Sequence, residues 1–336
     1  DTVAIVVYAG AAGLVLPATD GNDPGAIRAA IENLNAGGST NGGQGIQLAY
    51  KTARENFQEG GINRVILATD GDFNVGVSSD GALTRMIEEE RESGVFLTVL
   101  GFGTGNLKDS KMEKLADRGN GNYAYIDSAM EAKKVLVEEA GSTLVTIAKD
   151  VKIQVEFNPT LVAAYRLLGY ENRLLAARDF NDDEKDAGEI GAGHNVTALY
   201  EIVPPEAAKD LPGTDPLRYQ TPGHPTREAN SSELLTVKLR YKEPDADTSQ
   251  LLSHVVMDDD GHWRQASTSF RFATAVAGFG MLLRESKHAG SASWDSVRAI
   301  ARDAQGDDTH GYRAEFLKLV TKASELDAAR GESGTR

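Results

Sequence analysis

The chain has no cysteine in 336 residues, which excludes disulfides, thiolate metal centres and cysteine nucleophiles. It leaves the compartment open, because a large domain in an oxidising space can fold without disulfides. Positive charge is short as well: 35 Lys+Arg stand against 50 Asp+Glu, a net charge of −15. Nucleic acids and anionic membranes need clustered Lys/Arg to displace counterions, so the balance argues against both as partners. Long apolar runs are also lacking. The uncharged stretch 2–19 is barely long enough to span a bilayer and carries Gly10, Gly13 and Pro17. It has no basic segment before it and no small-residue cleavage site, so a signal peptide fits poorly. Two short strands around a Gly/Ala turn, at 3–9 and 13–18, fit better, and no membrane-spanning segment is expected. The first residue is Asp1, not Met, which suggests that the chain begins inside a longer reading frame.

The length suits two domains or three. Over 1–149 the pattern alternates strand and helix. Apolar runs at 3–9, 64–70 and 95–103 read as strands buried on both faces. Asp23-Pro24 reads as an N-cap followed by proline at N1, opening a helix that carries Ile27, Ile31 and Leu34. Further helices are expected after the Gly-rich 37–43, with Ile46, Tyr50, Ala53 and Phe57 on one face, and at 81–93, 110–118 and 129–139. A last strand is expected at 123–126. Strands alternating with helices of this length imply a doubly wound, mostly parallel α/β sheet. From 150 to 262 the period is two, at 150–157, 197–203, 234–242 and 251–257, as in an antiparallel β domain with one face in solvent. Residues 204–232 read as a long exposed loop. A small helical region should cover 263–327, and 328–336 should be a disordered tail.

The strongest chemical signal pairs Ser39-Thr40-Asn41 with Ala68-Thr69-Asp70-Gly71-Asp72. In an open α/β sheet, ligands collect outside the carboxyl ends of the strands. Asp70 stands at such an end and Thr40 heads a helix, and both are hard oxygen donors that suit Mg²⁺. The plainer account is a helix cap and a turn. The acidic run 179–186 lacks the loop glycine and terminal Glu of a calcium loop, so a solvated turn explains it better. Gly101-x-Gly103 has Asn106 where a dinucleotide fingerprint needs its third glycine. There is no phosphate loop, no nucleophile elbow and no paired histidine motif. Trp263 and Trp294 are expected to pack the C-terminal region.

In order, VAIVVYAG, GGSTNGGQGIQLAY, NRVILATDGDFNVG and GVFLTVLGFGTGN resemble a von Willebrand factor type A domain whose first strand and helix are missing. More narrowly, with GYENRLLAARDFNDDEKDAGEIGAGH and GYRAEFLKLV, the chain resembles the bacterial YfbK-like proteins of that class over about residues 1–326. The resemblance implies a metal-ion-dependent adhesion site in which Thr40 and Asp70 are ligands and Ser39, Asn41 and Asp72 form the rim. Its remaining element, Asp-x-Ser-x-Ser, would precede residue 1. Asp247-Thr248-Ser249 does not replace it, because Leu251 stands where the second Ser belongs. Two protein ligands plus water would hold Mg²⁺ weakly or not at all. In such a domain the missing strand would lie between the strands at 3–9 and 64–70. The implied function is a binding protein of the bacterial cell envelope, for which a lipid anchor upstream is one option, with an acidic side chain of another protein completing the Mg²⁺ sphere. The alternatives are a metal-dependent transferase or hydrolase using Asp70 and Asp72, and a scaffold with a vestigial metal site. An enzyme is not favoured, because no general base can be named.

Overall fold

The structure is a computed structural model that describes residues 1–8, 13–35, 37, 42–71, 80–104, 107–170, 174–185, 187–210, 218, 225–259 and 261–333. It divides into two compact units. The first comprises Asp1–Ile153, Ala177–Asn195 and Leu239–Leu252, and the second Gln154–Ala176, Val196–Lys238 and Ser253–Arg336.

The first unit opens with β1 (Thr2–Val7) and β2 (Gly13–Asp20), which pair antiparallel with Thr2 opposite Asp20 and Val7 opposite Gly13. This is the expected hairpin, but β1 is half exposed and not buried on both faces, because among the described residues its pairing is to β2 alone. Helix α1 (Pro24–Glu32) starts as the sequence dictates. Asp23 accepts the Ala26 N–H at 3.0 Å, and Pro24, which has no N–H to lose, takes the first turn. Helix α2 (Gly42–Glu55) buries Ile46 and Tyr50, whereas Phe57 lies beyond its end and is exposed.

Next come β3 (Asn63–Thr69), α3 (Asp80–Arg91), β4 (Val95–Gly101), α4 (Asp109–Arg118) and β5 (Tyr123–Tyr125). The three strands form a parallel sheet in the order β3-β4-β5, with Asn63 opposite Val95 and Thr69 opposite Gly101. Only β4, the central strand, is buried on nearly every residue. On β3 the buried residues Val65, Leu67 and Thr69 alternate with the exposed Ile66 and Ala68. Its far edge has no strand neighbour among the described residues. The hydrogen-bonded sheet is therefore interrupted between β1 and β3, the position where the resemblance calls for another strand.

The core of this layer is Ile46, Tyr50, Val65, Leu67, Leu83, Ile87, Val95, Leu97, Val99, Met112 and Leu115. At about 25 cal/mol per Å² of apolar surface, such burial is the main stabilising term. Gly121 is required here, because a Cβ at that position would lie 1.8 Å from the Leu97 carbonyl oxygen. The helix expected at 129–139 is divided into α5 (Ala129–Lys133), a π turn (Lys134–Glu138) and α6 (Ala140–Leu144). Arg64 ties α6 to the sheet, donating to Leu144 O at 3.1 Å, Thr98 Oγ1 at 2.7 Å and Thr146 Oγ1 at 2.9 Å. Burial lowers its pKa to about 10, against the opposing charge of Glu189.

The period-two segments form strands, with two additions that the sequence pattern did not reveal. In chain order they are β6 (Thr146–Phe157), β7 (Ala164–Leu168), β8 (Gly188–Gly191), β9 (Leu199–Val203), β10 (Glu233–Lys242) and β11 (Gln250–Met257). Four make a sheet in the order β11-β10-β6-β8, and β7 pairs antiparallel with β9. The additions, β7 and β8, are only five and four residues long, too short for periodicity to register. The long loop expected at 204–232 contains 3₁₀ turns at Pro205–Asp210 and Glu228–Asn230, and 211–217 and 219–224 lie outside the described residues.

In the second unit Phe157, Tyr165 and Tyr200 form an aromatic group with ring centroids 4.5 to 6.4 Å apart. Helices α7 (Thr268–Leu283), α8 (Trp294–Asp303) and α9 (Tyr312–Ser333) bury Ala275, Val297, Ala301 and Val320 among Phe272, Phe279 and Phe316. Trp294 packs edge-on against Phe279 as expected, but Trp263 is exposed. The tail is not disordered over 328–333, because α9 continues through it to Ser333. Ala and Arg are good helix formers, and extending a formed helix costs far less than starting one.

Candidate functional site

The carboxyl end of β3 is held in place by its own backbone. The Thr69 carbonyl accepts the Phe102 N–H at 2.8 Å, and the Asp70 carbonyl accepts the Lys108 N–H at 3.2 Å. Gly71 turns the chain with φ +83°, and its N–H donates to Thr69 Oγ1 at 3.1 Å. A Cβ there would lie 2.7 Å from Lys108 Cβ, so glycine is needed for both conformation and space. Gly103, at φ +102°, passes the other side, where a Cβ would meet Asp70 Cβ at 3.7 Å. Asp70, half-buried, therefore stands beside the ends of β3 and β4, on backbone held by these contacts.

Tyr8, just after β1, reaches the same end, and its hydroxyl donates to the Ala68 carbonyl. Burial raises its pKa above 10.0, the Thr69 hydrogen bond opposes that rise, and the charge of Asp70 adds to it. The tyrosine therefore stays neutral at physiological pH, as a donor. Helix α2 packs against Tyr8 through Gly45, where a Cβ would fall 2.4 Å from Tyr8 Cβ. Sequence reasoning missed Tyr8 because it sits at the end of an apolar strand and looks like core.

Of the residues expected in the site, Asp70 is placed at the carboxyl end of β3. Ser39, Thr40, Asn41 and Asp72 lie outside the described residues. Among the described residues no group of three or more His, Asp or Glu could hold a metal ion. Asp70 alone does not make the near-octahedral oxygen set that Mg²⁺ demands, so the described residues do not by themselves hold the ion.

The acidic run is the turn expected of it, with Asp182 and Glu184 exposed, but it also caps buried lysines. Its first part is a 3₁₀ turn (Ala177–Asn181) that buries Phe180, and its backbone carbonyls accept from buried lysines. Lys152, 3% exposed, donates to the Asp182 carbonyl. Lys242 donates to the Asp183 carbonyl at 2.7 Å and pairs with Asp150 at 2.8 Å. Ser249 donates to Asp183, and Arg240 reaches Ser249 Oγ at 2.9 Å and Asn181 Oδ1 at 3.1 Å. The polar face of β6, expected in solvent, is covered here by this segment. Asp247-Thr248-Ser249 contributes its serine to the same network.

Comparison with known proteins divides the chain near residue 140. Residues 1–139 match the von Willebrand factor type A domain, and residues 142–326 match the family described as "Uncharacterized protein YfbK, C-terminal". The chain belongs to the YfbK-like von Willebrand factor A proteins. It is 44% identical over 324 residues to "Uncharacterized protein YfbK" of Escherichia coli (strain K12), a match covering 96% of this chain. The YfbK-like chain spans 55% of that relative's length. Among solved structures, a von Willebrand factor type A protein from Catenulispora acidiphila is 16% identical, covering 93% of this chain and 72% of its own, with a TM-score of 0.44. The conserved hypothetical protein BatB from Bacteroides thetaiotaomicron is 23% identical, covering 42% and 78%, with a TM-score of 0.34. With both TM-scores below 0.5, the assignment rests on the sequence matches. Domains of this type mediate protein interactions and commonly bind a divalent metal. Among the described residues no helix is long and apolar enough to cross a membrane.

Proposed function

We propose that this YfbK-like chain is a protein-binding module, not an enzyme, and that its contact face lies at the carboxyl ends of β3 and β4. The observation that carries this reading is Asp70, half-buried on a backbone held by Gly71, Phe102 and Lys108 and flanked by the neutral Tyr8. An acid on fixed backbone is preorganised, so little ordering cost offsets the contacts it makes.

The finer reading comes from the resemblance. Thr40 and Asp70 would share a Mg²⁺ ion with Ser39, Asn41 and Asp72 around it, and an acidic side chain of the partner would complete its shell. A hard cation with one open position favours a charged oxygen ligand, whose attraction offsets the cost of stripping its water. On the resemblance alone, the setting is the extracytoplasmic face of a bacterial cell envelope, with a possible lipid anchor.

The test is a partner screen by affinity capture in Mg²⁺, followed by equilibrium binding of the captured protein. Binding should fall at least about tenfold in EDTA and in Asp70→Ala, equivalent to about 1.4 kcal/mol. Affinity unchanged by both would discard the metal-supported reading and favour a scaffold that makes its contacts elsewhere.

A further inference from the structure

Strand β11 ends the four-stranded sheet, and its outer edge has no strand neighbour among the described residues. The opposite edge, β8, is only four residues long and packs on α6, so it offers little to pair with. Strand β11 differs. Its eight residues, Gln250-Leu-Leu-Ser-His-Val-Val-Met257, include no Asp, Glu, Lys, Arg or Pro, and all but Val256 are exposed. Leu251 is 50% exposed, Leu252 54%, Val255 41% and Met257 50%. Proteins usually protect such an edge with lysine, proline, a bulge or a covering segment, and β11 shows no such residue along its length.

We infer that β11 is the interface of a homodimer, in which two copies pair their β11 strands antiparallel and join two four-stranded sheets into one of eight. The occupant is argued from register. A two-fold axis between antiparallel strands of one sheet stands perpendicular to it, so opposed residues share a face and the axis must pass through a residue pair. With the axis at His254, Leu251 faces Met257 of the second copy, Leu252 faces Val256, and Ser253 faces Val255. Every exposed apolar side chain then gains a partner from the same segment. Moving the axis to Val255 sets Leu252 against Asp258 and Leu251 against Asp259. Moving it to Ser253 leaves Met257 against Ser249 and Leu252 against His254. The His254 register is thus the self-complementary one. Charge points the same way: copies with a net charge of −15 repel, and an uncharged edge is where they can approach most closely.

The chain has no cysteine, so single substitutions report the register directly. In His254→Cys the two thiols would oppose each other with Cα atoms about 4.5–5.5 Å apart, within disulfide reach. In Leu251→Cys they would be about 20 Å apart, six residues along the pair. The expected result has three parts. Sedimentation equilibrium of the unmodified chain shows a dimer. Air oxidation crosslinks His254→Cys but not Leu251→Cys. Leu252→Lys/Val255→Lys, with circular dichroism and melting unchanged, raises the dimer dissociation constant by about tenfold or more. A chain that stays monomeric at every concentration overturns the proposal. So do open-ended oligomers, which indicate head-to-tail contact, and equal crosslinking of the two cysteine variants.

Discussion

Two acidic segments of the same unit have opposite relations to their surroundings. Asp70 stands at a strand end on backbone fixed by hydrogen bonds, beside the Tyr8 side chain. The segment 179–185 turns backbone carbonyls onto Lys152 and Lys242 and the Asn181 amide onto Arg240, while Asp182 and Glu184 stay exposed. In one segment the backbone caps buried cations of its own fold; in the other the fold fixes the backbone of a half-buried acid at a strand end.

The largest expected effect breaks the structural member of the pair. Lys242→Met leaves Asp150, 17% exposed, without its cation and should cost about 3–5 kcal/mol in urea unfolding. The double variant Lys242→Met/Asp150→Asn should recover part of that loss, because it removes the unpaired charge and keeps at residue 150 a side chain that tolerates φ +53°. Next, Gly71→Ala should cost about 1–3 kcal/mol, since it forces a side chain into φ +83° and against Lys108. The same variant should misplace Asp70 and weaken partner binding.

A smaller loss, below that of Gly71→Ala, is expected for Ser249→Ala, and it should depend on pH. The Ser249 hydroxyl, and after it the Ser249 N–H, hold the Asp183 carboxyl below its ordinary 3.8. A depressed carboxyl stabilises the fold above its unfolded pKa, and that contribution disappears as pH falls through the lower folded value. Unfolding measured from pH 5 down to about pH 2 should therefore show a shallower acid limb in Ser249→Ala. Least affected in stability is Asp70→Asn, at about 0.5 kcal/mol or less, although it should lose the binding that Lys242→Met/Asp150→Asn retains. If Asp70→Asn unfolded the protein, the contrast between the two segments would fail.

Much of the α/β layer is legible in the sequence because its signals are local. Asp23-Pro24 starts α1, and Gly119 and Gly121 follow α4 where the chain turns tightly to β5. The parallel β4 shows a continuous apolar run because it is covered throughout. Signals that depend on distant partners misled the reading. Lys152 lies on the polar face of β6 by period, and only the covering segment, which brings the Asp182 carbonyl, buries it. Ile66 lies in an apolar run yet is exposed, because nothing in the sequence of β3 states which of its neighbours are present. At the site, the motif located Asp70, whereas Tyr8, which reaches Ala68 from 60 residues away in sequence, had no chemical signature to betray it.

The most direct test of the central claim is a calorimetric titration of Mg²⁺ and Mn²⁺ into this chain and into its Asp70→Ala variant. The account predicts at most weak, saturable binding to the unmodified chain and none to the variant. Equal binding by the two would contradict it, because the ion would then lie away from Asp70, and so would tight binding to the unmodified chain, which Asp70 and Thr40 with water could not supply.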